Sequence, residues 1–201
     1  MRVVPSTAPS QRCIVAMASA ASLASFLWVA LPQAVLVCLG WKSTQDIELH
    51  LLKPCVKHFA EFFCGTGGLV TAFSLAGMRC AWFDINVESS HDILSTAGIA
   101  LALHIALSVL PEGVVWFGVP CSTFAWVSRG HTKRPRQNPL GDVTRPDVRA
   151  ANRIARTVAL LCRVLAQRGV FFVLEQPASS LLWHTPSLRL AARSLRVKGK
   201  R

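Results

Sequence analysis

The sequence predicts an α/β fold with a mainly parallel sheet flanked by helices, and two observations support this prediction. From residue 56 onwards, short apolar runs alternate with helical segments, which is typical of βαβ units. Each apolar run ends at a polar or turn residue, which separates the strand from the helix that follows it. We therefore expect a Rossmann-like core over residues 56–188, between a hydrophobic N-terminal segment (residues 1–50) and a basic tail (residues 189–201).

The predicted elements follow from the apolar pattern. The candidate strands are His58–Phe63, Cys80–Phe83, Val114–Gly118 and Val170–Leu174, and the candidate helices are Leu69–Ala76, Ile93–Val109 and Val148–Arg168. Gly169 suits the C-terminus of the last helix. Because crossovers are right-handed, the carboxyl ends of all four strands should lie at one edge of the sheet. The residues that follow these ends, which we expect to meet there, are Gly65, Asp84, Cys121 and Glu175.

Length and charge limit the classes of protein that fit. The chain has 201 residues, enough for one ordinary domain, and 52% of them are hydrophobic, which excludes a disordered tail. Lysine and arginine number 22 against 10 acidic residues, a net charge of +12. This balance favours an anionic partner, either a nucleic acid or a membrane surface. Alternatively, the charge belongs to targeting segments and tails that bind nothing specific.

The cysteines do not form a recognisable framework. There are 7 of them, spread along the chain without a CxxC pair, so the sequence predicts neither a zinc site nor any other metal site. The same distribution argues against a disulfide scaffold and favours a reducing compartment. We expect an intracellular location, in the nucleus or an organelle, with membrane association as an alternative.

The stretch Cys13–Trp41 carries no charged residue and is long enough to span a membrane. Several serines and Pro32 dilute its apolar character, and Pro32 would kink a helix. Arg2 and Arg12 before it also suit a secretory signal or an organellar transit peptide. We favour a targeting or membrane segment here over a pair of buried helices.

A glycine-rich turn, Phe63–Gly68, follows the first predicted strand and precedes a helix. Glycines at such a turn let the backbone approach a ligand, and an acid at the end of the next strand, here Asp84, accepts hydrogen bonds from ribose. The dinucleotide pattern G-x-G-x-x-G fails because position 70 is Val70, which argues for a nucleoside cofactor other than NAD. The alternative is an ordinary turn and a solvent-facing aspartate.

Two further strand ends carry reactive groups. Cys121 follows an apolar run, where a thiolate can act as a nucleophile, although most free cysteines are small buried hydrophobic residues. Glu175 ends another apolar run, where partial desolvation suits a carboxyl group to proton donation. A helix cap or a salt bridge is the alternative role for Glu175. The segment Arg129–Pro146 is predicted to be a long basic loop.

With these motifs, the chain resembles the cytosine-5 DNA methyltransferase family. The matching segments are Phe59–Gly68 and onwards through Ala76-Gly77, Gly118–Phe124, and Leu174–Pro177. The resemblance implies a class I methyltransferase-like fold, and Cys121 as nucleophile with Glu175 contacting the target base. It implies a binding site for S-adenosyl-L-methionine that includes Phe63, Gly65, Gly67, Gly68, Asp84, Asp92 and Pro120. The family usually has glutamine where this chain has Ser122, and Glu-Asn-Val where it has Glu-Gln-Pro.

The resemblance also implies a nucleic acid partner, with DNA favoured over RNA. The basic loop would then contact phosphates through Arg129, Lys133, Arg134 and Arg136. Complete family members continue into a target-recognition region, so we expect a truncated core or one that works with a separate target-recognition subunit. The alternatives are a catalytically degenerate methyltransferase-like module that binds nucleic acid, and a membrane or organelle-targeted protein of unknown activity.

Overall fold

The computed structural model describes residues 19–53 and 55–196. It confirms an α/β fold: four parallel strands form one sheet, in the Rossmann-like arrangement that the sequence predicts. The strands are β1 (Lys57–Phe62), β2 (Cys80–Phe83), β3 (Val109–Phe117) and β4 (Phe171–Leu174). Their order across the sheet is β2-β1-β3-β4, so β2 and β4 form its two edges.

Eight α-helices and three short 3₁₀ turns are present among the described residues. The helices are α1 (Ala20–Ala30), α2 (Gln33–Cys38), α3 (Thr44–Leu51), α4 (Gly68–Leu75), α5 (Thr96–Leu107), α6 (Arg129–Thr132), α7 (Pro146–Gln167) and α8 (Pro186–Arg196). The 3₁₀ turns are Ser89–His91, Trp126–Ser128 and Leu181–His184. Helices α5 and α7 pack against each other and against strands β3 and β4, and α4 packs against β1 and β2.

The two faces of the sheet are covered to different extents. Alternate residues of each strand point to opposite faces. On the face towards α5 and α7, Phe62, Val115 and Phe117 of the two central strands are fully buried, while Ala81 and Phe172 of the edge strands are partly buried. On the opposite face, α4 covers β1 through the stacked rings of Phe59 and Phe73, whose centroids lie 4.2 Å apart. The β3–β4 half of this face is only partly covered, which leaves room for a cleft.

Two element boundaries differ from the sequence-based expectation. Strand β3 begins at Val109 because Val109 pairs with Lys57 before a β-bulge in the ladder. Helix α5 begins at Thr96, not Ile93, because the hydroxyl of Ser95 accepts a hydrogen bond from the Gly98 amide and caps the helix there. The other predicted strands and helices agree with the structure to within two residues.

The described part of the hydrophobic N-terminal segment forms three short helices. Pro32 separates α1 from α2, and residues such as Leu27, Leu36 and Ile47 are fully buried in the core. Among the described residues, the structure contains no helix with both the length and the apolar character needed to cross a membrane. Residues 1–18, which include the start of the predicted membrane or targeting segment, lie outside the described residues.

Parts of the predicted loop and tail are helical. Helix α6 and a buried arginine, Arg134, lie in the segment that the sequence predicts to be a long loop. Part of the predicted basic tail belongs to α8, because Leu188 and Ala191 pack into the core against α7. The last residues of that tail, 197–201, lie outside the described range.

Candidate functional site

The cleft lies where the direction of the strand order reverses. The chain passes from β1 to β2 on one side of the sheet and continues to β3 and β4 on the other, so the loops after β1 and β3 diverge. Open parallel sheets bind ligands at this point, outside the carboxyl ends of the strands. Here a cleft of about 760 Å³ is lined by the glycine-rich turn, the turn after β3 and the end of β4.

The glycine-rich turn forms one wall of the cleft. Its backbone is left-handed at Gly65 (φ 53°), at Gly67 (φ 69°) and also at Phe63 (φ 59°), which is uncommon for a bulky residue. Such strained positions occur often at ligand sites. A Cβ atom built on Gly65 or Gly68 would have no heavy atom within 4 Å, so open space adjoins both glycines. Of the predicted cofactor residues Gly65, Gly67 and Gly68, only Gly68 lines the cleft.

Asp84 holds this turn together. The side chain is 6% exposed, its Oδ2 accepts a hydrogen bond from the Gly65 amide at 2.8 Å, and its Oδ1 accepts one from the Asn86 amide at 2.8 Å. The Oδ1 of Asp92 accepts a hydrogen bond from the Leu94 amide at 2.9 Å. Neither carboxylate lines the cleft, so each has a local structural partner where the resemblance implies a cofactor contact.

The turn after β3 positions Cys121. The Gly118 amide donates to the carbonyl of Phe62 at 3.0 Å, and the Cys121 carbonyl accepts from the Phe124 amide at 2.9 Å. Gln176, which is 2% exposed, donates through Nε2 to the carbonyl of Val119. These bonds fix both ends of the Pro-Cys turn, and Cys121 is half-buried in the wall of the cleft.

The end of β4 brings Glu175 to the same cleft. Its backbone amide donates to the carbonyl of Phe117 at 2.9 Å, which continues the β3–β4 ladder by one residue. Its Oε2 accepts a hydrogen bond from Nε1 of Trp116 at 3.2 Å. The indole therefore orients the carboxylate, and Cys121 and Glu175 lie in one cavity although they are far apart in sequence.

Sequence reasoning did not identify three residues of this site. Trp116 and Gln176 belong to the site through hydrogen bonds to distant residues, which the sequence does not show. Gln176 could have been identified, because it lies within the matching segment Leu174–Pro177. Glu61 lies on β1, is 6% exposed and lines the cleft. The signal for Glu61 was an acid within an apolar strand.

Glu61 is a second carboxyl group in the cleft. Its Oε2 accepts a hydrogen bond from the Val70 amide, in the first turn of α4, at 2.8 Å. Burial raises the pKa of Glu61, the Val70 amide opposes this shift, and the neighbouring charge of Glu175 adds to it. The cleft therefore holds two carboxyl groups in different environments.

Replacing Glu61 with glutamine is expected to stabilise the fold at pH 7 relative to the wild type, and to do so less at pH 4. Because folding raises the pKa of Glu61, the protonated carboxyl group stabilises the fold at pH values below its pKa in the unfolded chain, about 4.5. This contribution is lost as pH rises through the folded pKa. Glutamine does not titrate and still accepts from Val70. Urea denaturation across this range measures the difference, and a difference independent of pH would contradict the assignment.

The predicted phosphate contacts divide into two groups. Arg129, Lys133 and Arg136 are exposed, and the Arg129 guanidinium stacks on Trp126 at 3.5 Å from the ring centroid. The prediction that Arg134 contacts phosphate is wrong for this structure, because the side chain is 0% exposed. Its guanidinium stacks on the Phe124 ring and donates a hydrogen bond to Oδ1 of the buried Asn152, so it is not available to a ligand at the surface.

Cys64 is a second thiol beside the cleft. It is 8% exposed, and burial raises its pKa, with the charges of Asp84 and Glu61 adding to the shift. A thiol with a raised pKa is a poor nucleophile at neutral pH.

Searches of protein-family models, curated proteins and solved structures found no match to this chain.

Proposed function

We propose that this protein is an S-adenosyl-L-methionine-dependent methyltransferase that acts on carbon 5 of cytosine in nucleic acid. One observation carries the proposal: Cys121 and Glu175 line the same cleft as a glycine-rich turn, at the switch point of a parallel sheet. A thiol, a carboxyl group and a cofactor turn are the three elements that covalent methylation of cytosine needs. The motif resemblance supports the same assignment.

The cleft suits a nucleoside cofactor. Its volume of about 760 Å³ lies within the range of small-molecule sites. Phe63, Gly68 and Pro120 border the cleft in which the cofactor would lie. S-adenosyl-L-methionine supplies an electrophilic methyl group when it is bound there. Asp84 contributes indirectly, because its bond to the Gly65 amide fixes the shape of the turn.

Cys121 and Glu175 have distinct roles in the proposed chemistry. Cytosine carbon 5 is a weak nucleophile until the Cys121 thiolate adds to carbon 6. Glu175, oriented by Trp116, protonates the ring nitrogen N3 and neutralises the charge that this addition creates. Carbon 5 can then accept a methyl group. Water then takes the carbon 5 proton, which breaks the carbon–sulfur bond and returns the Cys121 thiolate, and the N3 proton returns to Glu175.

The target base must leave the duplex to reach this cleft, as base-modifying enzymes require. The exposed Arg129, Lys133 and Arg136 follow the Pro-Cys turn in sequence and can contact phosphates beside the extruded nucleotide. These contacts carry no sequence information, so the choice of target would depend on a further region or subunit.

A mechanism-based substrate tests this proposal directly. Duplex DNA containing 5-fluorocytosine has no removable proton at carbon 5, so the adduct with Cys121 should persist. We expect a cofactor-dependent shift in gel mobility with this duplex, and transfer of labelled methyl groups to ordinary cytosine DNA. RNA of the same sequence distinguishes the two substrates. Salt-sensitive binding of DNA without adduct or methyl transfer would reject the proposal in favour of a non-catalytic binding module.

A further inference from the structure

Three arginines form a stripe along the exposed side of α7. Arg149, Arg153 and Arg156 lie at i, i+4 and i+7, so they project from one side of the helix. All three are exposed, while the opposite side of α7 is buried in the core. We refer to these three residues as the arginine stripe.

The arginine stripe is not balanced by acidic residues. The chain has no acid between Val148 and Leu174, and Asp147 at the start of α7 pairs with Arg145 and His131. Within the part of the chain that the structure describes, no carboxylate lies within salt-bridge distance of the stripe. Like charges four residues apart destabilise a helix. The guanidinium groups of Arg149 and Arg153 donate to backbone carbonyls, those of Val143 and Thr144 and that of Leu94, but these neutral acceptors leave the positive charge in place. The uncompensated charge therefore favours an anionic partner.

The chemistry of the stripe favours nucleic acid over a membrane. Every cation in it is arginine, whose planar guanidinium matches the geometry of a phosphate group. A helix that lies on a membrane exposes an apolar face, whereas the apolar side of α7 is packed into the core and none of its large apolar residues is exposed. The stripe spans about 10 Å, from the helical rise of 1.5 Å per residue, or roughly three base steps.

Helix α7 also lies close to the proposed site. Its residues Ala150 and Ile154 line a small cavity of about 160 Å³ together with Pro120, Ser122 and Thr123. Pro120 borders this cavity and the main cleft as well, so the Pro-Cys turn lies between α7 and the cleft. The arginine stripe lies about a quarter to a third of a turn around α7 from Ala150 and Ile154, so a strand that crosses the Pro-Cys turn would meet the stripe on the exposed side of the helix.

We infer that the arginine stripe of α7 binds the phosphate backbone of the nucleic acid whose target base enters the cleft. This inference rests on the proposed function for the choice of nucleic acid. It adds a binding surface on a rigid helix to the shorter basic segment that follows Cys121. Because the contacts are to phosphate, they raise affinity equally for all sequences.

Salt-dependent binding tests the stripe in the full chain. The probe is a fluorescein-labelled duplex of about 20 base pairs, with binding measured by anisotropy at several salt concentrations. The triple variant Arg149→Gln, Arg153→Gln, Arg156→Gln should bind more weakly, with the slope of log K against log salt reduced by about three, one for each lost phosphate contact. The matched control is Lys42→Gln, Lys53→Gln, Arg79→Gln, which removes the same charge from exposed positions elsewhere. It should keep a slope close to that of the wild type.

The comparison of the two triple variants decides whether the arginine stripe binds nucleic acid. Equal weakening in both triple variants, or no binding of the duplex by the wild type, would overturn the inference. Stripe-dependent binding to phosphatidylserine vesicles without duplex binding would assign the stripe to a membrane instead. Thermal unfolding confirms that both variants are folded. The 5-fluorocytosine adduct is measured separately. If the adduct forms but the triple stripe variant keeps the wild-type salt slope, only the inference about the stripe is rejected. If binding depends on the stripe but no adduct forms, only the proposed function is rejected.

Discussion

Replacing Cys121 with serine is expected to abolish the 5-fluorocytosine adduct and to lower methyl transfer by at least about 10³-fold. The serine hydroxyl is a far weaker nucleophile than a thiolate at neutral pH, so carbon 6 would not be attacked. The side chains are nearly the same size, so the Pro-Cys turn and its bond from Gln176 should persist. Adduct formation and single-turnover methyl transfer measure the effect.

Cys64 provides the matched control for this substitution. It lines the same cleft, but it is 8% exposed and burial raises its pKa, so we expect it to remain a neutral thiol. Cys64→Ser should therefore keep the adduct. If Cys64→Ser abolishes the adduct and Cys121→Ser does not, the nucleophile has been assigned to the wrong thiol. Loss in both variants, with intact folding, would mean that neither thiol acts alone.

Replacing Arg134 with alanine is expected to lower the free energy of unfolding by about 3 kcal/mol. The Arg134 side chain is 0% exposed and its hydrogen bonds join its loop to α7, so alanine would leave three acceptors without this partner. These acceptors are the carbonyl of Pro139, Oδ1 of Asn152 at 2.8 Å and the carbonyl of Val148 at 3.3 Å. Urea denaturation followed by tryptophan fluorescence measures the change.

Arg136 gives the comparison, since it lies two residues away in the same segment but is exposed. Arg136→Ala should leave the free energy of unfolding unchanged within error and weaken nucleic acid binding. Arg134→Lys keeps the positive charge but cannot reach all three acceptors, and it should be destabilised nearly as much as alanine. Equal stability of the Arg134 and Arg136 alanine variants would show that the buried contacts contribute little.

The fold could be predicted because its signals are local. Each strand is a short apolar run that ends at a polar or turn residue, and the crossover rule then places the strand ends together. This reasoning placed Gly65, Asp84, Cys121 and Glu175 at one edge of the sheet. In the structure Cys121 and Glu175 line one cleft, and Gly65 and Asp84 are hydrogen-bonded to each other in the turn beside it. Their catalytic and cofactor roles stay predictions.

The burial of Arg134 and the hydrogen-bond partner of Asp84 could not be predicted, because they depend on contacts between segments that are distant in sequence. Arg134 lies in a stretch rich in proline and cations, which resembles a solvated loop, and its burial depends on Asn152 and carbonyls from α7. Asp84 was expected to face a ribose, but the structure pairs it with the Gly65 amide. Strand patterns show which residues are near an edge, but they do not show which neighbour a side chain binds.

The outer edge of strand β4 affects the tendency of the protein to aggregate. This strand forms one edge of the sheet, no strand among the described residues pairs with its outer side, and Phe171 on it is 40% exposed. Such an edge is a template for pairing with another copy of the chain. The net charge of +12 keeps copies apart at low ionic strength, but the Debye length falls to about 3 Å at 1 M salt. High salt during purification would therefore favour aggregation through β4.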